Sequence, residues 1–247
     1  MLKAVLFDLD GVIIDTERHG HRVAFNKAFP MLGYPDVSWD EDFYHKLLQV
    51  GGGKERIKYY FKEFHKGSPA PADIEAFAKD MHKTKTEILV NMLASLPLRP
   101  GIGRFMNELK DAGIKMGICT TSNEKVAQTV AEEILSDIPF LVVIAGDMVK
   151  RKKPDPEIYN MALEKLGISP KEALVIEDSH IGVTAAKAAG CTVLATFNGY
   201  TEDEDLSRAD FIVSCLGDPD GEKARVKKAA FPVGEDGVVR ARSFLDQ

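Results

Sequence analysis

Short apolar runs bounded by turn residues recur along the chain: Ala4–Phe7, Met116–Cys119, Phe140–Ile144, Ala173–Ile176, Thr192–Leu194 and Phe211–Val213. Each is short and continuously apolar, which predicts strands buried on both faces. Segments with helical period lie between them. Ile102, Phe105, Met106 and Leu109, for example, fall at i, i+3, i+4 and i+7 and so share one face of a helix. The alternation predicts an α/β fold, a parallel sheet covered by helices on both sides.

Residues from about Thr16 to Leu96 break this rhythm. They carry helix-length patterns, such as Ile74, Phe77, Met81 and Ile88, with no strand before Met116. The expected layout is a core, residues 1–15 and 97–247, split by an all-helical insertion, residues 16–96. The exit Leu96-Pro97-Leu98-Arg99-Pro100-Gly101 holds two prolines and predicts a stiff hinge, and Gly51-Gly52-Gly53 predicts a loop inside the insertion. From about Gly217 the periodicity is weak and predicts no element.

The 247 residues are 45% apolar and 28% charged, the balance of a folded globule. A formal charge of −6 offers a polyanion no general attraction, so neither nucleic acid nor a membrane surface is the expected partner. No apolar run approaches the roughly 18 residues of a membrane span, and Met1-Leu2-Lys3-Ala4-Val5 enters a strand directly instead of forming a signal peptide. A soluble, monomeric, cytoplasmic protein is expected, or a chloroplast stromal one if a transit segment has been removed. Cys119, Cys191 and Cys215 are odd in number and outside any CxxC spacing, and read as reduced core thiols.

The first apolar run ends in Phe7-Asp8-Leu9-Asp10-Gly11, delivering two carboxylates to the crevice beyond the strands' carboxyl ends where open α/β sheets bind ligands. Two ionised carboxylates about 4 Å apart repel by about 4 kcal/mol at an effective dielectric near 20, so a proton or a cation must sit between them. The alternative is an Asp-Gly turn with solvated acids. Another run ends in Val175-Ile176-Glu177-Asp178-Ser179 and brings two more acids to the same edge. Four oxygen-donor side chains favour a hard divalent cation, Mg²⁺ best of all. Against this, Asp178 or Ser179 could cap a helix that stops at Gly190.

Thr120-Thr121-Ser122-Asn123 places hydroxyls and an amide at a helix start, where free N–H groups favour an anion, with Thr120 the phosphate ligand. Ser122 or Asn123 could also simply cap the helix carrying Val126, Val130 and Ile134. In Lys150-Arg151-Lys152-Lys153-Pro154-Asp155-Pro156-Glu157, Asp155 as N-cap and Pro156 at the first helical position predict a helix start. The first three cations read as a solvated face. Lys153 is placed to offset carboxylate charge and hold a phosphoryl oxygen. Mg²⁺ and Lys153 together would balance Asp8, Glu177 and Asp178, leaving a site able to accept an anion.

In this order Phe7-Asp8-Leu9-Asp10-Gly11-Val12, Thr120, Lys153 and Glu177-Asp178 resemble the four motifs of the haloacid dehalogenase superfamily. The resemblance implies a Rossmann-like core with a helical cap inserted after the first strand, and a phosphoaspartyl mechanism. By it Asp8 is the nucleophile and Asp10 the general acid and base. Thr120, Thr121 and Lys153 bind the transferring phosphoryl group, and Asp8, Asp10 through its backbone carbonyl, Glu177 and Asp178 surround Mg²⁺. Asp10 argues against dehalogenase chemistry, because dehalogenating relatives lack an acid there.

A narrower resemblance, to CbbY-like proteins, rests on Thr16-Glu17, Ala24-Phe25-Asn26, Gly52-Gly53-Lys54-Glu55-Arg56, Thr121-Ser122-Asn123-Glu124-Lys125 and Lys152-Lys153-Pro154-Asp155-Pro156. It implies a phosphatase acting on a sugar bisphosphate such as xylulose 1,5-bisphosphate, in a cell or plastid that fixes CO₂ with Rubisco in the Calvin cycle. Glu17, His21, Tyr44, Lys54, Arg56, Ser122 and Asn123 are then the substrate-binding candidates, with Lys54 and Arg56 suited to a second phosphate. Arg18-His19-Gly20-His21 is one residue longer than that pattern, so either histidine could face the site. A phosphomutase of the β-phosphoglucomutase type shares these residues. A phospho-aspartate receiver module shares the acids, Thr and Lys but lacks an inserted cap, and a catalytically silent scaffold would not need every motif residue.

Overall fold

The computed structural model describes residues 1–50, 52–67, 69–228 and 231–245. The chain divides into two compact units, one of Met1–Asp15 with Pro97–Gln247 and one of Thr16–Leu96. Helices α1 Arg22–Met31, α2 Glu41–Leu48, α3 Gly53–Glu63 and α4 Ile74–Leu93 belong to the inserted unit. Helices α5 Ile102–Asp111, α6 Glu124–Thr129, α7 Glu157–Leu166, α8 His180–Ala188 and α9 Arg242–Leu245 belong to the other.

The larger unit is built on a seven-stranded sheet. Its strands are β1 Ala4–Phe7, β2 Lys115–Thr120, β3 Phe140–Ala145, β4 Ala173–Glu177, β5 Thr192–Thr196, β6 Phe211–Val213 and β7 Val226–Lys228, in the spatial order β3-β2-β1-β4-β5-β6-β7. All neighbours are parallel except β6 and β7. The chain steps outward from β1 to β3 and then crosses back to β4 on the other side of β1. The carboxyl ends of β1 and β4 therefore flank a topological switch point, where ligands enter such sheets. All four residues of β1 are inaccessible to solvent, and Phe7 is level with Ile118 and Ile176, so Asp8 leaves the sheet at its centre.

The expectation of fully buried strands fails for β3. It is an edge strand, and Leu141 is 58% exposed. The weakly patterned tail supplies β7, whose three residues are all exposed; a solvated edge strand needs no apolar alternation to form. The helix after β2 also departs from regular period. Past α6 it widens into a π turn, Val130–Ile134, and this extra residue per turn buries Leu135 in place of Ile134. Helix α7 starts at Glu157, one residue later than expected, with Pro156 before it and the Asp155 carboxylate accepting the Glu157 N–H at 3.0 Å. Cys119, Cys191 and Cys215 are buried thiols.

In the inserted unit, Phe25, Phe29, Trp39, Tyr44 and Tyr60 pack ring against ring, and the Asn26 amide fixes both the N–H and the carbonyl of Trp39. Arg18-His19-Gly20-His21 lies in a π turn, Glu17–His21, running directly into α1. Gly20 packs closely there: a Cβ would lie 2.7 Å from Leu89 Cδ1, so that side chain would have to shift. Gly53 is the first residue of α3 and not part of a loop. Gly52 precedes it with φ 92°, and Gly51 lies outside the described residues. No described helix is long and apolar enough to cross a membrane.

Candidate active site

Asp8 extends the ladder one step past β1, its N–H donating to Ile176 O at 2.9 Å, which fixes its backbone against the end of β4. Its Oδ1 accepts from Lys153 Nζ at 2.6 Å. The same ammonium donates to Glu177 Oε1 at 2.6 Å and to Cys119 O at 3.0 Å. One buried cation thus joins the ends of β1, β2 and β4. Burial opposes its charge, but Asp8 and Glu177 outweigh that cost and hold the ammonium above its ordinary pKa.

Glu177 is wholly inaccessible. Its Oε1 also accepts from the Tyr159 hydroxyl of α7, and Oε2 accepts the Asp178 N–H at 3.2 Å. Gly182 on α8 lies directly against this carboxylate, in space that any Cβ would fill. Asp178 Oδ2 accepts from Asn198 Nδ2 at 2.7 Å.

Asp8, Glu177 and Asp178 each present a carboxylate oxygen, all within 4.8 Å of one another. Burial above all raises the Asp8 carboxyl from 3.8 to about 8, with Lys153 opposing and Glu177 and Asp10 reinforcing. Burial, then Asp8 and Glu177, push Asp178 the same way. Buried acids in this state take a proton or a cation, and an all-oxygen set suits Mg²⁺.

Asp10 stands apart from that trio. Its carboxylate accepts from the Ser122 hydroxyl, across from the start of α6. Thr120 is the last residue of β2 and 1% exposed, and its Oγ1 accepts the Ser122 N–H at 3.0 Å. Asn123 is the helix cap, Oδ1 accepting from Lys125 N at 2.9 Å, while the N-cap of α8 is Ser179. Ser122 is therefore left to hold Asp10. Thr121 is half-buried beside it.

Residues 2–190 match the model of the haloacid dehalogenase-like hydrolase family. The chain belongs to that family. A CBBY-like protein of Arabidopsis thaliana is 44% identical over 227 residues, spanning 89% of this chain and 71% of its own. CbbY from Rhodobacter sphaeroides in complex with phosphate superposes with a TM-score of 0.78 at 39% identity, over 90% of this chain and 97% of that one. A mutant of that protein in complex with xylulose 1,5-bisphosphate gives 0.77 at 39% identity, over 88% and 97% of the two chains. A phosphorylated carbohydrates phosphatase of Thermotoga maritima is 31% identical over 189 residues, 76% of this chain and 82% of its own. The family match and these relatives together support a phosphatase.

In this haloacid dehalogenase-like hydrolase the candidates of the inserted unit fall into three places. Glu17, Tyr44 and Arg56 converge: the Tyr44 hydroxyl donates to Glu17 Oε2 at 2.6 Å, and Arg56 Nη1 donates to Tyr44 Oη at 2.8 Å. Arg56 Nε donates to Leu47 O at 3.2 Å. Lys54 is exposed on the first turn of α3. Of the two histidines, His21 is buried against the Lys85 ammonium, whereas His19 is exposed. Lys85 itself interrupts the apolar stripe of α4 and lies 4.9 Å from the Phe25 ring.

Sequence reasoning missed Asn198, Tyr159, Arg99 and Lys85. Asn198 stands two residues past β5, as Asp178 stands one past β4, so the strand-end argument could have found it. Tyr159 carried no signal beyond an apolar helix position.

Proposed function

We propose that this enzyme is a Mg²⁺-dependent phosphatase that removes a phosphoryl group from a sugar bisphosphate, xylulose 1,5-bisphosphate being the first candidate, through an aspartyl-phosphate on Asp8. The observation that carries the reading is the Asp8–Lys153 pair at the switch point of the sheet, beside a second buried acid, Asp178. The substrate class is supported by the relative that binds xylulose 1,5-bisphosphate.

An Asp8 carboxylate oxygen attacks phosphorus as the bond to the sugar oxygen breaks, and Asp10, held by Ser122, gives that oxygen its proton. Asp10 then takes a proton from the water that attacks the phosphoryl-aspartate, releasing inorganic phosphate and restoring Asp8. Lys153 faces the phosphoryl oxygens with its charge, and Thr120 and the N–H groups opening α6 supply hydrogen bonds, with Thr121 adjoining. Asp8, Asp178 and the Asp10 carbonyl would hold Mg²⁺, which supplies charge to neutralise the transferring group. Glu177, whose two oxygens already accept protein donors, serves to fix Lys153.

Of the substrate-binding candidates, Lys54 suits the non-reacting phosphate by its chemistry, an exposed cation at the N-terminus of α3, where a helix favours anions. Glu17, Tyr44 and Arg56, hydrogen-bonded in a chain, are the further substrate-binding candidates of the inserted unit, and His21 ends its π turn. The test is phosphate release from xylulose 1,5-bisphosphate with Mg²⁺ and with chelator. One phosphate per substrate is expected, and none from Asp8→Asn. Turnover by that variant refutes the nucleophile, turnover in chelator refutes the metal, and an isomer formed with its phosphate conserved identifies a mutase.

A further inference from the structure

We propose that Arg99 is a positioning residue that sets the cation affinity of the Asp8–Asp178 pair by clamping the two backbone segments that flank the Asp178 carboxylate. The proposal rests on the functional reading above. Arg99 lies in the segment re-entering the larger unit, its N–H donating to Ile13 O at 2.9 Å, and Leu98 pairs with Ile14. Its guanidinium donates from Nη1 to Gly11 O at 2.5 Å and Thr196 O at 3.4 Å, and from Nη2 to Phe197 O at 2.9 Å and to Ser214 O. Those carbonyls come from the loop after β1, the end of β5, and the residue after β6. A planar fork with several donors can hold them together; a lysine, as a single point donor, cannot.

Both of the first two segments bear on Asp178. Gly11, at φ 78°, packs so closely that a Cβ there would lie 2.7 Å from Asp178 Cγ and 2.7 Å from Asn198 Nδ2. Asn198 directly follows Phe197, donates to Asp178 Oδ2 at 2.7 Å, and is itself oriented by the Tyr200 N–H at 2.8 Å. Arg99 thus grips the chain on each side of one carboxylate without touching it. Arg104 makes a useful contrast, donating to Leu216 O, Gly217 O and Val239 O, none of which adjoins the acids.

The test titrates Mg²⁺ into the full chain by calorimetry, without substrate, and records thermal melting, for wild type, Arg99→Met, Arg99→Lys and Arg104→Met. Partners of metal ligands typically alter affinity by about 10–100-fold, so both Arg99 variants should weaken Mg²⁺ binding by at least about tenfold. Arg104→Met should lower the melting temperature while leaving Mg²⁺ affinity within about twofold of wild type. Unchanged affinity in the Arg99 variants overturns the assignment, and so does equal weakening in Arg104→Met, which would indicate general loosening. If Arg99→Met does not fold, Arg99→Lys decides alone. A wild type that takes up no Mg²⁺ overturns the functional reading first, before any variant is compared.

Discussion

Replacing Asp8 with Asn should abolish turnover and yet stabilise the metal-free fold, increasingly so as pH rises. The substitution keeps the shape and removes only the ionisable oxygen. Burial, opposed by Lys153 and reinforced by Glu177 and Asp10, raises the Asp8 carboxyl from 3.8 to about 8. Between those values the unfolded chain has released a proton that the folded chain retains. Wild-type stability therefore falls as pH rises through this window, by about 1.4 kcal/mol per pH unit for one group. From pH 5 to 7.5 the loss is about 3 kcal/mol, and the non-titrating Asn escapes it. At roughly 2–4 °C per kcal/mol for a domain of this size, the melting-temperature gap should widen by about 6–12 °C over that range. Relief of Asp178, which Asp8 also pushes upward, adds in the same direction. The assay is thermal melting followed by circular dichroism in chelator, at matched ionic strength. Parallel curves, separated by a constant offset, would refute the idea that an unneutralised buried acid strains the site. Added Mg²⁺ should shrink or reverse the gap, because only wild type keeps the full ligand set.

Three further outcomes follow from the geometry. Lys153→Met leaves Glu177 buried without its cation and Asp8 without its donor, and should cost about 3–5 kcal/mol in urea unfolding in chelator, along with activity; a loss below about 1 kcal/mol would show that the ammonium is not what holds this buried cluster. Ser122→Ala removes the hydroxyl that donates to the Asp10 carboxylate and should lower kcat by about tenfold with KM little changed, a fraction of what a proton-transfer group contributes; an unaltered kcat argues that Asp10 is oriented by other groups. Lys54→Ala should raise KM about tenfold for a sugar bisphosphate and leave that for a monophosphate alone, and equal effects on both would remove Lys54 from second-phosphate binding.

The strand-helix rhythm and the identity of the chemical groups were legible from the sequence because both are local. A run of apolar residues reports its own burial, and the acids of Asp8-Leu9-Asp10 and Glu177-Asp178 stand immediately after such runs. Lys153 was legible for the same reason, pinned before a proline at a helix start. What each group is bonded to was not legible. Lys153 reaches Asp8 across 145 positions of chain, and only the strand order decides that it bridges Asp8 and Glu177. Ser122 could have been a cap by local rules; the fold gives that task to Asn123 and turns the hydroxyl to Asp10.

The sequence by itself determined which residues would stand at the carboxyl ends of strands, since a strand's period and its stop are written within a few residues. Tertiary structure alone decided that β3 and β7 are edges, that the backbone around Gly20 takes a π turn close to Leu89, and that Asn198 meets the Asp178 carboxylate. Those outcomes depend on register and packing between distant segments, where a single buried charge or a missing Cβ matters more than any local propensity.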